Sequence, residues 1–301
     1  MPEPESYVGR FAPSPTGLLH FGSLMTAVGS YLDARANEGR WLVRIEDLDP
    51  PRETPGASKT ILRTLEAYQL HWDGEVWFQS QRHEIYQAQI ERFIAKQQAF
   101  YCTCSRKPLI REFGGYYPGI CRRRFTAPDE PCSVRLLTHD QPIGFDDGLQ
   151  GHFEQRLESE VGDFIIKRKD GLFAYHLAVV MDDEAQGITD IVRGLDLLDS
   201  TPRQLYLQRL MGYHQPRYLH LPLVVNEQGQ KLSKQTFADP VPDEHPGPYL
   251  WACLSALGQE PPQELQRATA KEILSWGCHH WQRETIPHMA AIPEDTLKIR
   301  C

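Results

Sequence analysis

Long apolar runs are missing from this 301-residue sequence. None approaches the ~18 residues that a membrane span needs, which excludes a helical membrane protein. A basic leader is missing too. The chain starts Met1-Pro2-Glu3-Pro4-Glu5, acidic where a secretory signal is basic, so a cytoplasmic protein is expected. Positive charge is not in excess, with 32 Lys and Arg against 40 Asp and Glu and a net charge of −8. That balance argues against indiscriminate binding of polyanions and leaves local basic surfaces open. There is no internal repeat and no low-complexity tract. Cysteine is sparse, with seven residues, and a chain of this length builds a core without disulfide staples.

What is present fits an ordinary globular enzyme of about two domains: 41% hydrophobic, 24% charged and 10% aromatic residues. A strand-like run over residues 7–12 enters the turn-rich Pro13-Ser14-Pro15-Thr16-Gly17. Residues 21–36, small and apolar, then suit a buried helix. Residues 41–45 read as a second buried strand. Residues 57–70 read as an amphipathic helix with Ile61, Leu62, Leu65 and Tyr68 at helical spacing, and residues 83–98 as another helix. Strands alternating with helices predict a parallel sheet. Periodicity then fails through a Cys- and Arg-rich window and the Pro-rich residues 126–131, as in an inserted module. Residues 132–181 look strand-like, with a hairpin of 164–166 and 172–175 around Asp170-Gly171. Alternation returns with a strand at 188–192, a helix at 202–211 capped by Ser200 or Thr201, and a strand at 218–225. Short helices are expected at 248–257 and 265–276. The economical reading is an α/β fold, a doubly wound, Rossmann-like parallel sheet. Its halves are residues 1–99 and 181–240, interrupted by an insertion at 100–180 and followed by a helical extension at 241–301.

Two motifs could carry chemistry. Leu19-His20-Phe21-Gly22-Ser23 stands where a strand's loop enters a helix. There, unpaired backbone N–H groups and the helix dipole favour an anion such as phosphate. His20 can add a donor, and Gly22 allows close backbone approach. Alone, the pattern is as compatible with a capping histidine. Lys231-Leu232-Ser233-Lys234-Gln235 follows an apolar strand in the second half of the alternating pattern. Its lysines could neutralise charge on a triphosphate, or simply decorate a surface turn.

Together the motifs resemble the two signatures of the class I aminoacyl-tRNA synthetases, His20 to Ser23 a degenerate first signature and Lys231 to Gln235 the lysine-rich second. Gly9-Arg10-Phe11-Ala12-Pro13-Ser14-Pro15-Thr16-Gly17 and Arg44-Ile45-Glu46-Asp47-Leu48-Asp49 are similar to the glutamyl branch in particular. Ser23 replaces the usual terminal histidine and Gln235 the usual serine. Gly22 and both lysines are intact. A full glutamyl-tRNA synthetase continues into a large helical anticodon-binding region, for which residues 236–301 are too few. The resemblance is therefore to the shortened paralogues that activate L-glutamate with ATP and transfer it to queuosine at the wobble position of tRNA-Asp.

The resemblance implies a division of labour. His20, Gly22, Ser23, Lys231, Ser233 and Lys234 would bind ATP, with His20 and Lys234 catalytic and magnesium accompanying the nucleotide. Arg10, Phe11, Ala12, Pro13, Ser14, Glu46, Tyr175 and Arg193 would form the glutamate site, with Glu46 on the amino group. Arginine suits this role, because it recognises a carboxylate in a planar, bidentate manner. An ion pair among Arg10, Glu46 and Arg193 is the purely structural alternative.

Three of the cysteines, Cys102, Cys104 and Cys121, lie in one window. In a cytosolic chain such clustering suggests a metal before a disulfide. Three sulfurs need one more donor for tetrahedral zinc. The resemblance supplies Tyr117, with Tyr116 and His139 as lesser candidates, and the expected role is structural. Cys132, Cys253, Cys278 and Cys301 read as packing or free thiols. Residues 101–125 hold six basic side chains against one acid, Glu112. Arg122-Arg123-Arg124 would be a phosphate-contacting surface for tRNA, and Lys167-Arg168-Lys169 a second. No membrane or DNA partner is expected, and a monomer is. Competing readings are a truncated synthetase that esterifies a tRNA 3′ end, a catalytically silent RNA-binding paralogue, and a small-molecule nucleotidyltransferase.

Overall fold

The structure, a computed structural model, describes residues 6–114, 116–232, 238–297 and 299. β1 (Val8–Phe11) leads through the Pro-rich loop into α1 (Phe21–Ala36), which returns to β2 (Arg40–Ile45). β1 and β2 pair in parallel. α2 (Ala57–Ala67) then crosses to the short β3 (Trp77–Phe78), parallel to β2. α1 is buried along nearly its whole length because its Ala, Gly, Leu and Val side chains let strands pack on one side and helices on the other.

α3 (His83–Ala95) leads into the insertion, where pairing becomes antiparallel. β4 (Ala99–Cys102), β5 (Ser133–Leu136) and β8 (Ile165–Lys167) form one sheet, and β6 (Pro142–Asp147) with β7 (Gly151–Arg156) a hairpin. Between β4 and β5 the window read as irregular contains a helix, α4 (Arg106–Phe113), ended by Gly114 in the left-handed region at φ 62°. Only Leu109 of α4 is buried, so the segment carries no repeating apolar signal.

The strand-like reading of residues 132–181 fails at its end. Tyr175–Gln186 is a helix, α5, and Tyr175 is its first residue rather than part of a hairpin strand. Of that hairpin, a single Lys167–Phe173 bridge forms. α5 is buried continuously from Leu177 to Asp183, which removes the amphipathic period that marks a helix.

The second half follows the expected alternation. β9 (Asp190–Gly194), α6 (Thr201–Met211) and β10 (Arg217–Leu221) form a crossover with parallel strands. The two parallel sheets meet at β1 and β9, where the Thr189 N–H donates to Val8 O at 2.9 Å and the Val8 N–H to Thr189 Oγ1 at 2.9 Å. The order β3-β2-β1-β9-β10 places β1 and β9 at the centre, the topological switch point of an open α/β sheet. The strand expected over 218–225 is two, because Pro222 interrupts it before β11 (Leu223–Val225).

α7 (Pro246–Ala256) and α8 (Ala270–His280) pack on α1, and β12 (Ala291–Pro293) pairs with β11. α8 starts later than expected, at a capping box between Thr269 and Glu272, while residues 263–267 form a separate 3-10 turn. Leu250, Leu254 and Ile273 share one core with α1, β1 and β2. Among the described residues, no helix is long and apolar enough to cross a membrane.

Candidate active site

The carboxyl ends of β1 and β9, the start of α1 and the β11 segment enclose a cleft of about 380 Å³. Arg10, Phe11, Ala12, Pro13, Ser14, His20, Gly22, Ser23, Tyr175, Arg193 and Lys231 all line it. The two signature stretches, distant in sequence, therefore share one cavity. Ser233, Lys234 and Gln235 lie outside the described residues. The chain on either side of them is fixed, by the Leu232 N–H on Val224 O and the Val241 N–H on Leu19 O, each at 2.8 Å.

Behind one lining residue, Arg10, lies a network of buried charge. The Arg10 guanidinium donates from Nε and Nη2 to Asp183 Oδ1 and Oδ2 at 3.1 and 3.3 Å. Arg44, fully buried, donates to Asp183 Oδ1 at 2.8 Å, to Gln186 Oε1 at 2.7 Å and to Glu46 Oε1 at 3.3 Å. Burial alone would push the Asp183 carboxyl up, but the two guanidiniums outweigh it and hold it below the usual aspartate range. Glu46 shows the opposite balance. Burial dominates the pull of Arg44 and Arg10, and its pKa is pushed up to about 7. Glu46 does not itself line the cleft; its N–H donates to Pro13 O at 3.0 Å, and its charge acts on the Tyr175 phenol, whose pKa burial raises.

Arg10, Glu46, Tyr175 and Arg193, expected to form a glutamate site, lie near one another, but the ion pairing among them does not form as a closed set. Arg10 and Glu46 are linked through Asp183 and Arg44, to which the motifs assign no role. Arg193 belongs to a separate buried chain with His220, Asp147 and Thr201. Nothing local marks Asp183, which lies on α5 and meets its partner only in the folded chain. Phe11 stacks on Trp41, centroids 6.3 Å apart, so its ring serves the core.

On the opposite side His20 does both things the motif allowed. Its Nδ1 accepts the Ser23 N–H at 3.3 Å, capping α1, while the residue lines the cleft. Gly22 permits this fold-back, since a Cβ there would stand 3.3 Å from the imidazole. Lys231 forms an ion pair with Asp196 at the cleft margin.

In the insertion, the Sγ atoms of Cys102, Cys104 and Cys121 lie within 4.8 Å of one another. Cys104 and Cys121 are 3.8 Å apart, far beyond the ~2.05 Å of a disulfide. Two ligand sulfurs ~2.3 Å from a tetrahedral zinc stand about 3.8 Å apart, so the spacing suits a shared metal. Tyr117 packs on Phe100 and its hydroxyl accepts the Cys121 N–H at 2.7 Å, which puts the phenol at the cluster. Tyr116 donates instead to Glu158 O, and His139 packs against Tyr206.

The basic run does not present a uniform surface. Arg122 is committed to Asp163 at 2.7 Å and Glu158 at 2.6 Å, which corrects its reading as a phosphate contact. Arg123 and Arg124 are exposed, the latter bonded to Thr103 Oγ1 at 2.9 Å. Lys167 donates to Gln87, and Arg168 pairs with Asp49 and Asp170.

The family model for tRNA synthetases class I (E and Q), catalytic domain, matches residues 7–114 and 120–245. The chain belongs to this family. A glutamyl-Q tRNA(Asp) synthetase of Ectopseudomonas mendocina is 55% identical over 293 residues, covering 97% of this chain and 99% of that one. The protein of the same name from Pseudomonas aeruginosa strain PAO1 is 56% identical over 292 residues. Among solved structures, a glutamate tRNA ligase of Elizabethkingia meningosepticum in complex with its amino acid superposes with a TM-score of 0.78 at 26% identity. That match covers 95% of this class I synthetase chain but 66% of the ligase, so the chain spans just under two thirds of the ligase's length. In an open α/β fold of this kind a ligand cleft at the β1–β9 switch point is where one is expected.

Proposed function

We propose that the protein activates L-glutamate with ATP and transfers the glutamyl group to queuosine at the wobble position of tRNA-Asp. The observation that carries the reading is the shared cleft: a capped helix start with His20 and the Lys231 segment on one side, buried Arg10 and Arg193 and half-buried Tyr175 on the other. The full-length similarity to glutamyl-Q tRNA(Asp) synthetases supports the choice of acceptor.

In the first step a carboxylate oxygen of glutamate attacks the α-phosphorus and pyrophosphate leaves. Like charges must be held together, so cations and oriented donors lower the barrier. With Nδ1 accepting the Ser23 N–H, the neutral His20 ring carries its proton on Nε2, the donor suited to a phosphate oxygen. Lys231 adds charge, and Lys234 would balance the departing pyrophosphate. Arg10 and Arg193 would meet the substrate's two carboxylates, Ser14 would bond one of them, and Tyr175 would close the pocket. As the family resemblance implies, Glu46, which lies behind the cleft lining on Arg44, would supply the anion for the ammonium group, while Asp183 is taken up by Arg10 and Arg44.

Cys102, Cys104, Cys121 and Tyr117 would hold a structural zinc ion, which supplies folding energy and no step of the reaction. The exposed basic residues of the same module would take the RNA.

The test incubates the protein with ATP and radiolabelled glutamate on tRNA-Asp with or without queuosine, then maps the labelled nucleotide. Label only on the queuosine-containing tRNA, at the anticodon, is expected. Label at the 3′ end would favour terminal esterification, and label on neither, with no glutamate-dependent exchange of pyrophosphate, would sink the enzymatic reading.

A further inference from the structure

Arg193, which lines the cleft, is held by His220 and Thr201 outside it and by Leu197 at its edge. Its Nε donates to His220 Nε2 at 2.9 Å, and its Nη2 donates to Thr201 Oγ1 at 2.7 Å and Leu197 O at 3.3 Å. Among the described residues, the buried Nη1 has no hydrogen-bond partner. On a residue that lines the cleft and is 4% exposed, this is the donor left for a ligand.

The chain of bonds fixes a protonation pattern. A guanidinium nitrogen only donates, so His220 Nε2 must offer a lone pair. The ring's one proton is then on Nδ1, which lies 2.6 Å from Asp147 Oδ2. A doubly protonated ring, or the other tautomer, would set an N–H against the Arg193 N–H. Asp147 is itself held in place: its Oδ1 accepts the N–H groups of Leu149, Gln150 and His220 at 3.0, 2.9 and 3.2 Å. Asp147 is the last residue of β6, in the insertion, whereas Arg193 and His220 sit on the neighbouring strands β9 and β10, directly opposite in register.

We propose that Asp147 and His220 are positioning residues for substrate recognition: the insertion's Asp147 locks His220 in the Nδ1–H tautomer, and that ring orients Arg193 so that Nη1 meets a carboxylate of the amino acid. The proposal rests on the glutamate reading of the cleft. It adds that the insertion takes part in amino-acid selection, through a residue that touches no substrate.

Asp147→Asn separates positioning from packing. The amide keeps an oxygen for the three backbone donors but turns an N–H₂ toward His220 Nδ1. The ring is thereby driven to the Nε2–H tautomer, which opposes Arg193. Glutamate affinity, measured by calorimetry, is expected to fall about 10- to 100-fold, as for loss of one hydrogen bond to a charged group. ATP affinity should stay close to wild type, and the chain should stay folded at a lowered melting temperature, because opposed N–H groups are left in a buried chain. Nitrogen-15 spectra of the histidine rings supply a readout independent of activity, with His220 Nε2 unprotonated in the wild type and protonated in the variant. A wild-type ring protonated at Nε2 overturns the relay. So does unchanged glutamate affinity in Asp147→Asn, or equal loss of glutamate and ATP affinity. If the wild type binds no glutamate, the functional reading fails by itself, and the spectra still decide the tautomer.

Discussion

Arg10, which lines the cleft, and Asp183, which lies behind it and 173 residues away in sequence, are joined by two N–H groups on two carboxylate oxygens. Because Arg44 uses the same carboxylate, one aspartate is shared by two buried guanidiniums and ties α5 to the first two strands.

Removing that carboxylate takes from Arg10 its ion-pair partner and leaves Arg44 with Glu46 and Gln186 alone. Asp183→Asn should cost about 3 to 5 kcal/mol of stability near neutral pH, the usual penalty for stripping one partner from a buried pair. Since the folded pKa lies below the ordinary value of 3.8, the carboxylate's contribution is complete above that value and disappears as pH falls through the folded one. Urea unfolding of wild type and variant should therefore differ most near neutral pH and converge in acid. A constant gap across that range would refute the account.

Glu46 titrates in the opposite sense. Its pKa is pushed up to about 7, so the folded chain holds a proton that the unfolded chain releases near 4.5. Its contribution to stability is complete below 4.5 and is lost as pH rises through about 7. Recognition of an ammonium group needs the ionised form, so glutamate KM in pyrophosphate exchange should fall as pH rises from about 6 to 8. Glu46→Gln should raise KM by about 10- to 100-fold and flatten that dependence. A parallel pH dependence in wild type and variant would assign the titration to another group.

What the sequence made legible follows from where the physical signal is local. α1 begins and ends as read, because one uninterrupted stretch of small and apolar residues and one cap define it. His20, Gly22 and Lys231 were legible because a strand-to-helix junction and a lysine loop are short-range patterns, and the fold brings them to one cleft. α5 was not, since burial on all sides from Leu177 to Asp183 erases helical periodicity and Val179-Val180 imitates a strand. Asp183 was lost with it. Asp147 and His220 carry no motif, and their pairing exists only once a hairpin of the insertion packs beside β10.

The arginine run should divide under charge reversal. Arg122→Glu places a carboxylate against Asp163 and Glu158 and should lower the melting temperature. Arg106, Lys107 and Arg123 are exposed and, under the proposed function, would meet phosphates. Reversing these three should weaken tRNA binding and reduce its dependence on log salt concentration by about one for each phosphate no longer neutralised. Filter binding at several salt concentrations measures both quantities. An unchanged slope in the triple variant would move the RNA to another face.

Metal removal tests the module that carries those residues. Its own core consists of Phe100, Leu109 and Tyr117 beside Cys102 and Cys121, too little apolar surface to hold a segment of its length. Zinc held by three thiolates and the Tyr117 oxygen would add ~10 kcal/mol or more of apparent folding energy there. One zinc per chain is expected by atomic absorption, and Cys104→Ser or a strong chelator should release it. Amide exchange should then accelerate across residues 102–124 while β1 and β9, buried in the other cores, stay protected. Glutamate-dependent pyrophosphate exchange should survive better than transfer to tRNA, because the cleft's described lining includes no residue of the module. If the metal-free protein keeps slow exchange over residues 102–124, the cysteines pack as thiols and the metal assignment falls.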